Sequence, residues 1–382
     1  MPRIPAGMRK RPDGGYECRF TIRGRRYSVY GKSVRECTEK AEERRREIEA
    51  GINREGKALT LDEYFLRWES ARTGSVRDST LRTERYIYHI AADTAVDSAT
   101  PRFGALRLNN ISRQHLVQLQ NGLCRAYSVS TINRCMSVIK AILESALEER
   151  LILWNPSKGL RMLKETKKPP RETIHRALTP EETQAFLRAA EQCGSWYLPL
   201  YRFLLNTGCR FGEAGALLPG DIGADSISIR RTLTKSLDGK LIIGNETKTG
   251  HSARTIPARR AALAAIREQR EKNTRCFGDT EEDKPIFRAP RGGLLGARCV
   301  KKDIDQLCKA AGIERFAAHA FRDTFATRAV ESGMQAKTLQ EILGHADIGI
   351  TMNLYAHVME DTKRSQMAAV DVMPGQRKAF AV

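Results

Sequence analysis

The sequence predicts a multidomain α+β protein: a small three-stranded sheet backed by one helix, then a helical domain, then a mainly α-helical domain containing a small β-sheet. Three observations lead there. Strict two-residue alternation of apolar and polar side chains is concentrated near the start of the chain, at residues 16–22 and 26–30. Helical spacing with capping signals fills residues 58–157. Beyond residue 177, capped helices are interrupted by one strand-rich stretch, 226–257. A length of 382 residues accommodates two or three domains.

Charge narrows the choice of partner. Lys and Arg number 65 against 45 Asp and Glu, a formal net charge of +20, and the isoelectric point is near 9.8. Such an excess favours a polyanion, most often nucleic acid, over small-molecule housekeeping chemistry. No apolar run approaches the roughly 18 residues of a membrane span, and the first ten residues lack the apolar stretch of a signal peptide. The nine cysteines form no C-x-x-C pair, which argues for reduced, packed thiols and against a disulfide scaffold or a cysteine-rich zinc site. The expectation is a soluble cytoplasmic protein with no membrane partner and no metal site.

Residues 1–57 carry 16 Lys and Arg against 9 Asp and Glu. A turn at Asp13-Gly14-Gly15 precedes the first alternating run, where Tyr16, Cys18, Phe20 and Ile22 share one face and Glu17, Arg19 and Thr21 the other. Arg23-Gly24 turns into the second run, and Met8-Arg9-Lys10-Arg11 supplies the third strand. Ser33 followed by Glu36 is a capping box, and the helix it opens aligns Val34, Cys37, Ala41 and Ile48. That stripe covers the apolar sheet face and leaves Arg19, Arg23, Arg26, Ser28 and Tyr30 outside. A merely solvated face is the plain reading. Ten Lys and Arg in the first 35 residues, against two acids, exceed what solubility needs, and a small ribbon fits a DNA major groove.

Residues 58–157 read as four helices. Thr60-Leu61-Asp62-Glu63 is a capping box ahead of Tyr64, Phe65 and Trp68; residues 79–90 follow with Leu81 and the pair Tyr86 and Ile90; Ser112 caps the third; Ser130 starts the fourth, whose Ile132, Met136, Ile139, Leu143 and Leu147 keep helical spacing up to a stop at Asn155-Pro156. Their apolar stripes are core. Residues 158–176 hold seven Lys and Arg around Pro169-Pro170 without periodicity, so a basic linker, extended and exposed, is expected. It either tracks a phosphate backbone or simply stays solvated.

The last domain, 177–382, opens at the capping box Thr179-Pro180-Glu181-Glu182. Helices through Asn206 and around 212–217 precede the strands, which turn at Asp238-Gly239 and Gly250-His251; further helices are expected near 258–273, 297–310, 319–331 and from 337 onward. Four short stretches there carry polar side chains in unusual settings: Thr207-Gly208-Cys209-Arg210-Phe211-Gly212-Glu213, Thr247-Lys248-Thr249-Gly250, His319-Ala320-Phe321-Arg322, and Leu343-Gly344-His345 with Tyr355 ten residues on. Each alone has a structural reading: an Arg210–Glu213 ion pair, a turn lysine, a packed histidine, a core tyrosine. Together they compose one reaction, transfer of a phosphodiester to a tyrosine. Two arginines can hold the non-bridging oxygens of one phosphate through planar forks and stabilise the charge of a pentacoordinate transition state where other enzymes use metal ions. A phenol, with a reference pKa of about 10, needs cations or a base to become a nucleophile; histidines supply proton transfer.

This set, in this order and spacing, resembles the tyrosine recombinase (phage integrase) family. T-G-x-R-x-G-E, H-x-x-R followed by T-F-A-T, and L-G-H ahead of the tyrosine carry the resemblance over residues 175–370. Residues 58–157 resemble that family's helical core-binding domain and 1–57 its arm-type DNA-binding module; Arg19-Phe20-Thr21-Ile22 and the run from Tyr27 to Ser33 look closest to integrases of conjugative transposons. The resemblance implies a DNA integrase that cuts and rejoins strands by transesterification, with no cofactor. Tyr355 would attack to give a 3′-phosphotyrosyl link, Arg210 and Arg322 would clamp the phosphate, Lys248 would protonate the 5′-oxygen, His319 would serve Tyr355, His345 would hydrogen-bond the phosphate, and Glu213 would orient the site from behind. It also implies double-stranded DNA with core and arm attachment sites, a homotetramer on that DNA, and excisionase and DNA-bending accessory proteins. The segment after about 358, with Met359, Met367, Val370 and Met373, would pack on a neighbour or within the same chain.

Two positions depart from the family pattern, Phe321 where leucine is usual and Asp323 where histidine often follows the arginine. A catalytically idle DNA-binding regulator and a type IB topoisomerase are the competing readings. The six filled catalytic positions argue against the first, and the second has no use for an arm-like module.

Overall fold

The computed structural model describes residues 5, 7–22, 24–49, 58–96, 102–164, 176–244, 253–278, 282–349 and 351–352. The chain divides into two compact units, residues 1–168 and 169–382, each taken by itself below. Among the described residues no helix is long and apolar enough to cross a membrane.

In the first unit, β1 (Met8–Lys10), β2 (Tyr16–Ile22) and β3 (Arg25–Gly31) form an antiparallel sheet in that order. The register sets Cys18 opposite Val29 and Phe20 opposite Tyr27 on one face, with Arg19 opposite Ser28 and Thr21 opposite Arg26 on the other. Helix α1 (Val34–Glu49) covers the apolar face, burying Cys18, Phe20, Cys37 and Ala41 as a small core; Ser33 Oγ accepts the Glu36 N–H as expected, while the Glu36 carboxylate accepts from the Lys32 backbone N–H instead of that of Ser33. Arg23 lies outside the described residues.

Four helices follow, α2 (Leu61–Arg72), α3 (Asp78–Ala92), α4 (Arg113–Leu123) and α5 (Val129–Glu148), around a separate core in which the Phe65 and Tyr88 rings stack at 3.7 Å. The Thr60 and Ser112 caps form as expected, His115 taking the partner's place in the second. Three expectations need correction. Tyr86 is exposed, because five residues turn a helical side chain about 140° from Leu81 whereas seven bring Tyr88 back to within about 20° of it. Helix α5 is capped by Ser128, two residues before Ser130. It ends at Glu148, well before Asn155-Pro156, because Arg150 takes a left-handed conformation (φ 59°) that folds Leu151 and Ile152 back into the core.

The basic segment after α5 is also more anchored than its composition suggests. Leu160 and Leu163 pack on the helical core. Asn133 on α5 grips the Leu163 backbone from both sides, donating from Nδ2 to its carbonyl (2.9 Å) and accepting its N–H at Oδ1 (3.0 Å), while Gln120 donates to the Arg161 carbonyl. Lys158, Arg161 and Lys164 stay exposed. The remainder, 165–175, lies outside the described residues.

The second unit packs α6 (Pro180–Gln192), α7 (Leu198–Thr207), α9 (Arg260–Phe277), α10 (Ala297–Ala311) and the N-terminal half of α11 (His319–Glu331) around one core. A short α8 (Phe211–Ala214) and α12 (Ala336–Leu343) are further helices among the described residues. The strand-rich stretch forms two two-stranded antiparallel sheets: β4 (Ser226–Ile229) pairs with β7 (Arg254–Pro257), and β5 (Thr232–Lys235) with β6 (Leu241–Gly244) across the Asp238-Gly239 turn. The expected turn at Gly250-His251 lies outside the described residues. Phe321 on α11 is fully buried among Phe186, Tyr201 and Phe316, with ring centroids 5.2–5.6 Å away, which is why an aromatic ring fits where leucine is usual.

Replacing Asn133 with Ala removes both grips on Leu163. Tryptic cleavage after Arg161 and Lys164 should speed up markedly while global stability falls by only about 1–2 kcal/mol; unchanged digestion kinetics would show that Asn133 does not hold the segment.

Candidate active site

Helix α7 ends at Gly208, whose φ of 65° is the left-handed cap that glycine adopts without penalty. A Cβ there would sit 2.4 Å from the Phe325 ring. The tight exit places Arg210 at the N-cap of α8, where its backbone N–H and its Nη1 donate to Oε2 and Oε1 of Glu213, at 2.9 and 2.8 Å. Glu213 is buried, and its other partner comes from β7: Arg254 donates from Nη1 and Nη2 to the same two oxygens, at 3.1 and 2.9 Å. Burial would raise the Glu213 pKa, but the hydrogen bond and charge of Arg254, with those of Arg210, leave it below the usual carboxylate range. Glu213 is thus an ionised clasp between two guanidiniums.

Arg322 reaches the same place from α11. It is 3% exposed and donates to the carbonyls of Gly208 (2.9 Å) and Leu343 (2.8 Å). Arg210 Nη2 donates to the Gly344 carbonyl at 3.2 Å and Arg254 Nε to the Ile342 carbonyl at 2.6 Å. Three arginines therefore bind three successive carbonyls at the C-terminal end of α12, whose last carbonyls lack intrahelical donors and carry the negative end of the helix dipole. Gly344, at φ 65°, permits this: a Cβ would stand 2.9 Å from Nη1 of Arg254. Burial, followed by the charges of Arg210 and Arg254 with Glu213 opposing, pushes the Arg322 pKa down to about 9. A cation so short of compensation is a site for an anion.

His345 follows Gly344 directly. Its Nδ1 lies 2.9 Å from Oγ1 of the fully buried Thr351. Burial, then Arg322, Arg210, Arg254 and His319, lower its pKa to about 4, so the ring is neutral at physiological pH. His319, the first residue of α11, is about half exposed, and its Nε2 is 3.6 Å from Oδ1 of Asp323 one turn on. The departure at residue 323 thus gives His319 an acidic neighbour.

Of the candidate residues, Arg210, Glu213, Arg322 and His345 gather around Gly208 and the end of α12, with His319 close enough to act on His345; Lys248 and Tyr355 lie outside the described residues. Arg254 and Thr351 were not anticipated. Arg254 had a signal, since it shares a strand face with the buried Ile256, and a charge on the inward face of a strand needs a buried partner. Thr351 had none beyond its position between His345 and Tyr355. Among the described residues no group of three or more His, Cys, Asp and Glu is placed to hold a metal ion.

Residues 176–361 match the phage integrase family. The chain carries a phage integrase domain over that stretch. It is 25% identical to a tyrosine recombinase XerC-like protein of Caldanaerobacter subterraneus subsp. tengcongensis over 91% of both chains, and 25% identical to the transposase from transposon Tn916 of Enterococcus faecalis over 90% of this chain and 85% of that one. In fold it is similar to the Tn1549 transposon integrase in complex with a circular intermediate DNA, with a TM-score of 0.67 and 22% identity over 82% of this chain and all of that one. It also resembles a lambda integrase tetramer bound to a Holliday junction, with a TM-score of 0.59 and 18% identity over 92% of this chain and 95% of that one.

Outside the integrase domain, the exposed face of the first sheet carries the other predicted set. Arg19, Arg26, Ser28 and Tyr30 share it, all exposed. Glu17 lies on the same face and is nonetheless buried, gripped by Nε of Arg9 (2.5 Å) and Nε of Arg19 (2.8 Å), while the guanidinium of Arg11 stands 5.0 Å over the Tyr30 ring.

Two outcomes follow for the integrase domain. His345 should show no NMR titration between pH 8 and 5 in the DNA-free protein. Its folded pKa is below the ordinary 6.5, so between 6.5 and 4 the unfolded chain binds a proton that the folded chain does not, and acidification through that window should cost stability. A midpoint near 6.5 would contradict the geometry. Glu213→Gln leaves Arg210 and Arg254 without their counter-charge and should destabilise the protein by about 3 kcal/mol in urea titrations; a loss below 1 kcal/mol would mean that the carbonyls of α12 suffice.

Proposed function

We propose that the chain is a site-specific DNA recombinase that integrates and excises a mobile element through a covalent 3′-phosphotyrosyl intermediate. The observation that carries this reading is the docking of Arg210 and Arg322 on the neighbouring carbonyls Gly344 and Leu343, beside a neutral His345. Two forks held in one place, with Arg322 poorly compensated, are suited to the two non-bridging oxygens of a single phosphate.

In the proposed reaction the Tyr355 oxygen attacks the scissile phosphorus, the bond to the 5′-oxygen breaks, and the 3′-phosphate remains on the tyrosine. His319 takes part in moving the phenolic proton, with the Asp323 carboxylate 3.6 Å from its Nε2. Lys248 protonates the departing 5′-oxygen. Arg210 and Arg322 stabilise the charge of the pentacoordinate state, His345 donates to a phosphate oxygen, and Glu213 holds Arg210 in plane. Rejoining reverses these steps, with a 5′-hydroxyl of the partner duplex as nucleophile. The phosphodiester energy is kept in the tyrosyl link, so no ATP is consumed.

The remaining parts are assigned to DNA. Residues 1–57 take arm-type sites through Arg19, Arg23, Arg26, Ser28 and Tyr30. Residues 58–157 take the core site, the basic segment 158–176 follows the backbone, and 177–382 cut the strand. Recombination joins two duplexes, and the lambda integrase tetramer on a Holliday junction is a precedent for four subunits on DNA. Excisionase and DNA-bending proteins would set direction.

The test is a nicked duplex bearing the element's end, incubated without divalent metal or ATP. Wild type should form a protein–DNA adduct that survives denaturation. Tyr355→Phe should form none, and Arg210→Lys should cleave about 10²–10³-fold more slowly. Binding without adduct formation on a verified site would favour the idle regulator instead.

A further inference from the structure

We infer that Thr351 is a positioning residue for this reaction: its hydroxyl donates to Nδ1 of His345 and thereby keeps the imidazole proton on Nε2, the nitrogen that faces the phosphate's needs. The inference rests on the proposed role of His345 as a donor to the phosphate.

A neutral imidazole has one N–H and one acceptor nitrogen, and the partner of one nitrogen decides which is which. His345 is surrounded by Arg210, Arg254 and Arg322, with His319 also acting on it, and is held neutral by burial and by those charges. To donate to an anionic oxygen from Nε2, the ring must accept at Nδ1, and a buried acceptor left without a donor costs free energy. Thr351 supplies the donor. Its Oγ1 is 2.9 Å from Nδ1, and the residue is 0% exposed, so water does not compete for the Thr351 hydroxyl. The opposite assignment, with the proton on Nδ1, would turn a lone pair toward the phosphate. Other bonds fix the ring from its backbone side: the His345 N–H donates to the Gln340 carbonyl at 3.2 Å, and Gln340 Nε2 donates back to the His345 carbonyl at 3.1 Å. Backbone and Nδ1 are both anchored. Thr351 also stands four residues ahead of Tyr355, so the same bond ties the histidine to the segment that leads into the nucleophile.

Single-turnover cleavage of the nicked duplex tests this with Thr351→Val, Thr351→Ser, His345→Phe and the double variant Thr351→Val/His345→Phe. Thr351→Val should slow cleavage about tenfold or more with DNA affinity unchanged, and Thr351→Ser should restore most of the rate. In the His345→Phe background, which is itself slow, Thr351→Val should add nothing. An equal loss in both backgrounds, or a wild-type rate for Thr351→Val, overturns the inference. A wild-type rate for His345→Phe would instead overturn the proposed role of His345, and the inference with it. Should Thr351→Val fold poorly, the ring nitrogens decide. In Tyr355→Phe bound to the duplex, the 15N shifts of His345 should report a protonated Nε2 and an accepting Nδ1, and the reverse pattern overturns the inference.

Discussion

Three guanidiniums cannot crowd together, two of them buried, unless something negative holds them, and in this chain that something is the Glu213 carboxylate together with the C-terminal carbonyls of α12. Glu213 takes four hydrogen bonds, two from Arg210 and two from Arg254. The helix end takes one from each of the three arginines. Like charges in low dielectric repel strongly, and Arg322, buried beside Arg210 and Arg254, shows the strain in its lowered pKa of about 9. The arrangement compensates two of the cations well and the third poorly. In the proposed reaction the scissile phosphate completes the balance, and the fold holds that deficit ready before any anion arrives.

That constraint explains features that look unrelated along the chain. Gly208 and Gly344 both take left-handed conformations, and a side chain at either would strike a neighbour, the Phe325 ring in one case and Arg254 in the other. The four-residue helix α8 exists to turn Arg210 and Glu213 toward each other. Strand β7 delivers Arg254 on the same face as Ile256, so one alternating strand anchors both the core and the cluster. Helix α11 does the same on a helical period, burying Phe321 among aromatic rings while the adjacent Arg322 enters the site. Each element spends one residue on packing to aim another into the arginine cluster.

Local signals were legible in the sequence where the chemistry is local. Capping boxes at Thr60 and Thr179, the cap at Ser112, the alternation of β2, and the motifs around Arg210, Arg322 and His345 all depend on residues within a few positions of one another. The misses share the opposite character. Asn155-Pro156 was a plausible stop for α5, yet the helix ends earlier because buried seats for Leu151 and Ile152 favour a left-handed Arg150. The 158–164 segment reads as free linker until Asn133, 30 residues away, binds it. Arg254 is partnered across 41 residues to Glu213 and 88 to Ile342. Neither spacing nor composition carries such pairings, which tertiary contact alone creates.

The same device recurs on the first sheet, in a different setting. Glu17 costs that basic face one unit of net charge, which would weaken any purely electrostatic attraction to a polyanion. It is nevertheless buried between Arg9 and Arg19, and the hydrogen bond from Arg19, outweighing burial, with that from Arg9 holds its pKa down to about 2. A carboxylate kept ionised in this way fixes guanidinium planes that would otherwise sample many rotamers. Ordering a long side chain before binding removes part of the entropy that binding must overcome, and a fixed planar fork can discriminate geometry where a mobile cation cannot. Glu17 beneath Arg9 and Arg19, and Glu213 between Arg210 and Arg254, therefore represent one solution used twice. At both places the chain gives up charge to hold arginines in a defined orientation, a property that the proposed recognition of a specific DNA site uses and non-specific attraction does not.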